Sequence, residues 1–144
     1  MPVFRRGTTI VELLVMVAIL GVLAAIAVPR AITAMDRLSV RGAAEDVVLT
    51  LAAARAAASR GDSPVSFVAD TRNGRVRAVR GGEVLAERDV ARGRGVRLEA
   101  SRESVTFAPG GLGWGAANTT IIVSRRSRSD TIVMSRLGRV RTAW

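Results

Sequence analysis

From Ile10 to Val28 the chain runs for 19 residues with one charge, Glu12, and one poor helix former, Gly21. As a helix rising ~1.5 Å per residue, such a run covers roughly 28 Å, about the hydrocarbon thickness of a bilayer. Whatever else the chain folds into must be a single small domain hung on that helix. Arg5 and Arg6 stand just before the run. The positive-inside rule therefore puts the N-terminus in the cytoplasm and everything after Pro29 outside it.

Glu12 decides between three readings of this segment. A secretory signal would be cut at a small-x-small site such as Ala25-Ile26-Ala27, but it has no use for an acid at the start of its apolar region. A plain anchor leaves Glu12 as an uncompensated charge, on the order of 2.5–3.5 kcal/mol at mid-bilayer and less near the interface. Cutting after Gly7 instead removes both arginines and gives Thr8 a free α-amine, with Glu12 one helical turn away. A helix N-terminus favours a carboxylate through its dipole. In a staggered bundle, Glu12 of one subunit would meet the amine of its neighbour, and the apolar helix would be retained after cutting.

The stretch "RRGTTIVELLVMVAILGVLAAIAVPR" resembles the prepilin-type leader and N-terminal helix of the type IV pilin and pseudopilin superfamily. The matching features are a basic leader ending in Gly7, a Glu at mature position five (Glu12), an aliphatic helix and Pro29. The family usually begins its mature chain with Phe, where this sequence has Thr8. The resemblance implies a membrane-embedded prepilin peptidase that cuts after Gly7 and methylates the amine of Thr8. It also implies a single pass through the bacterial inner membrane, with the body in the periplasm.

Past Pro29, which removes one helical hydrogen bond and is expected to kink the helix, the 3.6-residue period resumes. Val40, Ala44, Val47, Val48, Leu51 and Ala58 share one helix face, and Gly61 precedes Asp62-Ser63-Pro64 as a stop. One helix is expected from about Thr9 to Arg60. After Pro64 the period becomes two. "VSFVAD" and "RVRAVR" flank the turn at Asn73-Gly74, and "EVLAERDV" follows Gly81-Gly82. "GVRLEA" and "SVTFAP" read as another pair. "TTIIVS", "DTIVMS" and "GRVRTA" close the chain, with Ser127–Asp130 and Leu137-Gly138 as turns and "GGLGWG" as a flexible loop. The expected fold is α+β: one long helix, then antiparallel strands in two small sheets. Its parts are a leader 1–7, a membrane and assembly helix 8–29, an amphipathic half 30–61 and a β domain 62–144. This order is pilin-like. "FAPGGLGWGAANTTIIV" with the late Gly138-Arg139-Val140 further resembles the GspH/FimT family of minor pseudopilins and minor pilins.

Enzyme chemistry has little to work with. The chain holds no cysteine and no histidine, so disulfides, Cys/His zinc sites and a Ser-His-Asp triad are excluded. The acids are scattered among arginines and read as solvated surface charge. "GGLGWG" lacks the Gly-Lys-Ser/Thr ending of a phosphate loop. Trp114 is expected to pack in the core rather than stack on a base, and Trp144 is undetermined. We expect no catalytic residue, metal or cofactor.

The net charge is +10, carried by 22 basic residues, all arginine. Arg125, Arg126, Arg128, Arg136, Arg139 and Arg141 crowd the C-terminus against one acid, Asp130. Guanidinium groups bind phosphates in forked fashion, so Arg125, Arg126, Arg136, Arg139 and Arg141 are candidate DNA contacts. The resemblance to FimT implies DNA binding by a late Gly-Arg-x-Arg motif, here Gly138 to Arg141. The same four letters recur at Gly74 to Arg77, and an arginine-rich codon bias explains a solvated basic strand equally well. Two functions follow. One is a minor pseudopilin of a type II secretion system, packed with other pilin or pseudopilin subunits and inner-membrane lipid and contacting secreted cargo. The other is a minor type IV pilin that captures double-stranded DNA for uptake.

Overall fold

The structure, a computed structural model, describes residues 8–114, 118–135 and 138–143. Helix α1 (Ile10–Arg60) is followed by nine strands: β1 (Val65–Asp70), β2 (Arg75–Arg80), β3 (Glu83–Asp89), β4 (Arg97–Ala100), β5 (Ser104–Phe107), β6 (Gly113–Trp114), β7 (Thr119–Arg125), β8 (Arg128–Met134) and β9 (Val140–Ala143). The expected α+β architecture is present, one long helix and two antiparallel sheets.

The chain divides into two contact units, one ending at Met35 and one beginning at Asp36. In the first, every residue from Ile10 to Val28 is exposed. By length and composition this stretch can cross a membrane. Its helix begins on a cap. The Thr9 hydroxyl accepts a hydrogen bond from the Glu12 backbone N–H at 3.2 Å. Thr9 and Glu12 thus have the Thr-x-x-Glu spacing of a capping box. Helix α1 continues unbroken through Pro29, whose carbonyl accepts from the Thr33 hydroxyl at 2.9 Å.

In the second unit, α1 buries Val40, Ala43, Ala44, Val47, Leu51, Ala54 and Ala58. That is the stripe the 3.6-residue period predicts, with Val48 at its margin only partly buried. Four of the seven are alanines. One sheet has the order β3-β2-β1-β5-β6 and the other β4-β7-β8-β9. The strands alternate as period-two patterning demands, with Val65, Phe67, Ala69, Val76 and Ala78 inward from the first sheet and Ile121, Val123, Ile132 and Met134 from the second. Burying each larger aliphatic or aromatic side chain contributes roughly 1.5–3 kcal/mol.

Three local expectations are corrected. "GVRLEA" and "SVTFAP" do not pair: β4 lies against β7 and β5 against β1. The chain crosses between sheets at Ser101–Glu103, where the Ser101 N–H bonds Thr120 O and the Glu103 carbonyl accepts from Ala69 N–H. Hydrophobic alternation reports which face a strand buries but not which strand it joins. The turn read at Ser127–Asp130 is shorter: β7 and β8 are joined by Arg126 and Ser127 alone, with Arg125 opposite Arg128. Within "GGLGWG", Gly113 and Trp114 form a short strand against β5.

The β1–β2 turn is fastened by Asp70, which accepts from the Asn73 backbone N–H at 3.0 Å and from the Asn73 side-chain amide at 2.8 Å. These bonds, chiefly the side-chain one, hold the Asp70 carboxyl below its ordinary 3.8. A carboxylate whose folded-state pKa is depressed adds stability above its unfolded pKa and loses it as pH falls through the folded value. Asp70→Asn is therefore expected to narrow the stability gap to the native chain as the pH drops from 5 towards 2, measured as urea midpoints.

Candidate functional site

Gly7 and Arg136 lie outside the described residues, as do the rest of the leader and Trp144. Thr8 is exposed and precedes the cap, and Glu12 is exposed in the first turn of α1.

The C-terminal arginines separate into two groups. Arg125 and Arg126 turn onto Asp36. Arg125 Nε stands 2.9 Å from Asp36 Oδ1, and Arg126 Nη1 donates to both carboxylate oxygens at 2.8 and 3.1 Å. Arg125 also donates to the Ser39 hydroxyl at 2.8 Å and to the Arg94 carbonyl. Asp36 is only 4% exposed, so it is no solvated surface acid. Asp46 behaves similarly, receiving Arg88 at 3.1 Å and also Arg94. The reading of all acids as solvated is corrected for these two. Each acid sits where the helix meets arginines from the strands and loops, and burial of a carboxylate demands such partners.

Arg139 and Arg141 are exposed, and among the described residues no hydrogen bond or ion pair is formed by either guanidinium. With Asn118, Val133 and Ser135 they line an open groove of about 420 Å³. Arg141 lies opposite Val133 across β8–β9. The preceding turn is closed by Gly138 N–H to Ser135 O, Ser135 N–H to Arg139 O, and Arg139 N–H to the Ser135 hydroxyl. Gly138 has φ +75°, in the left-handed region that a side chain resists.

The second copy of the motif differs. Arg75 sits 3.1 Å from Glu87 and 3.5 Å from Asp89, and Arg77 sits 3.8 Å from Asp70. Four identical letters thus have opposite electrostatic fates, and only the late copy presents uncommitted cations.

Sequence reasoning missed Arg55. Its Nε donates to Gly111 O at 3.1 Å and its Nη1 to Gly138 O at 3.2 Å. This one side chain ties the Gly-rich segment after β5 to the turn that carries Arg139. The available signal was its place in "LAAARAAASR", a cation between the buried Ala54 and Ala58. Trp114 is the other surprise. It is 65% exposed on an edge strand and is not a core residue.

No family model and no curated protein matches the sequence. Solved structures do match. The type IV minor pilin FimU of Pseudomonas aeruginosa, in a P21 crystal form, superposes with a TM-score of 0.64 at 19% identity, over 74% of this chain and 90% of that one. A P65 form of FimU gives 0.59 at 18% identity, over 72% and 91%. The chain has the fold of a type IV minor pilin. Within that fold the groove offers two forked cations and neighbouring polar groups. Such a pair suits anionic oxygens. The described residues include no cluster of three or more acids placed to hold a metal.

Proposed function

We propose that this protein is a minor subunit of a pilus-like filament, held in the bacterial inner membrane by its N-terminal helix before assembly. The observation that carries this is the stretch Ile10–Val28, exposed throughout and apolar but for Glu12 in its first turn. An exposed apolar surface of that length calls for lipid or for other helices. A prepilin peptidase would cut after Gly7, and Glu12 would pair with the Thr8 amine of a neighbouring pilin or pseudopilin subunit. A type II secretion pseudopilin, working with secreted cargo, needs only this much. N-terminal sequencing of the membrane-held chain tests the cleavage: Thr8 is the expected first residue.

A second reading, capture of double-stranded DNA by a minor pilin, is favoured by the uncommitted Arg139 and Arg141 and their shared groove. Phosphate contacts of this kind release counterions, so binding weakens with salt. The full chain in uncharged detergent is expected to bind a labelled duplex at low salt. Arg139→Ala with Arg141→Ala should lower the affinity at least tenfold and flatten the salt slope by about two. The control pair Arg75→Ala with Arg77→Ala should leave both nearly unchanged. Binding indifferent to Arg139 and Arg141 would leave the secretion subunit as the better reading.

A further inference from the structure

An indole that is 65% exposed on an edge strand calls for a partner with a flat apolar face. Trp114 is close to the arginine pair for covalent and packing reasons. Asn118, which lines the Arg139–Arg141 groove, is four residues further along the chain. A fully extended chain of that length spans at most about 14 Å. On the other side, Arg55 grips Gly111 and Gly138 together, three residues from Trp114 and one from Arg139. A Cβ on Gly111 would overlap the Ser59 hydroxyl, so that segment lies directly against α1. The segments that carry Trp114 and Arg139 are thus tied to one corner of the domain through Arg55.

We propose that this corner binds single-stranded nucleic acid, with a base stacked on Trp114 and the neighbouring phosphates on Arg139 and Arg141. The inference rests on the DNA-binding reading and narrows its ligand. A duplex buries the faces of its bases, so only an unpaired strand, a frayed end or a gap can use the indole. Stacking of a base on an aromatic side chain tolerates any sequence. The phosphate contacts supply most of the affinity and its salt dependence.

The test uses the full chain in uncharged detergent, a fluorescein-labelled oligo-dT and a blunt duplex of equal length, both read by anisotropy at fixed low salt. The native chain is expected to bind oligo-dT more tightly than the duplex. Trp114→Ala should weaken oligo-dT binding at least about fivefold and leave duplex binding unchanged. Trp114→Phe should restore most of the loss, because an aromatic face remains. Equal weakening of both ligands, or no effect of Trp114→Ala on either, overturns the inference while DNA binding itself survives. In the second case the exposed indole is left as a contact for a neighbouring subunit. No binding of either ligand removes the DNA reading and the inference together.

Discussion

Glu12→Ala is expected to leave the chain in the membrane and keep it out of the filament. The apolar run loses its only charge, so insertion is unimpaired or improved, by up to the roughly 2.5–3.5 kcal/mol that a mid-bilayer acid costs. What disappears is the carboxylate that would answer the amine of Thr8 on the neighbouring helix. The cap on α1 makes a second role testable. Glu12 is three residues past Thr9, whose hydroxyl holds the Glu12 N–H, so the side chain also stands where a capping box uses Glu or Gln. Capping is worth about 1 kcal/mol and survives a change to Gln. The pairing role needs the charge. Glu12→Gln is therefore expected to fail in assembly as completely as Glu12→Ala, read as the chain's share in sheared filaments against membranes. Normal incorporation of Glu12→Gln would reduce Glu12 to a helix cap.

The second large effect lies at the start of the folded body. Asp36 is nearly inaccessible, and its two oxygens hold Arg125 and Arg126 from the β7–β8 hairpin. Arg126 adopts φ +51°, a left-handed conformation unusual for a residue with a Cβ. A two-residue hairpin turn asks for that conformation at its first position. Breaking a buried pair by removing one partner destabilises by about 3–5 kcal/mol when the other charge stays buried. Here the Arg126 side chain is 62% exposed and can return to water, which favours a smaller loss. Asp36→Ala is expected to lower unfolding stability by about 2–3 kcal/mol, measured by urea denaturation. Adding Arg126→Ala should cost little more, since that side chain has by then lost its partner. A loss below ~0.5 kcal/mol, the range of ordinary surface substitutions, would show that the contact is not formed in solution.

Much of this was legible from residue periodicity. The helix ends where Gly61 and Pro64 predict, and the buried stripe from Val40 to Ala58 follows from the 3.6-residue repeat. The strand positions follow from period-two runs and from turns such as Asn73-Gly74. Pairings were harder. Consecutive strands usually pair, but β4 forms an edge of one sheet beside β7 while β5 lies between β1 and β6 in the other. Charge was least legible. Composition describes Asp36, Asp46, Arg75 and Arg139 alike as surface ions. Only the fold shows that the first two are clasped, the third is paired and the fourth is uncommitted. Trp114 failed for a similar reason: hydrophobicity favours burial, yet its two-residue strand lies at the edge of a sheet.

The most direct test of the central claim is to shear surface filaments from cells that express the native chain and determine its N-terminus in that fraction by mass spectrometry. The expected result is a chain in the filament fraction that begins at Thr8 and retains Glu12 and the whole apolar helix. A chain absent from filaments and cut after Ala27, or present only in membranes with Arg5 and Arg6 still attached, would contradict it.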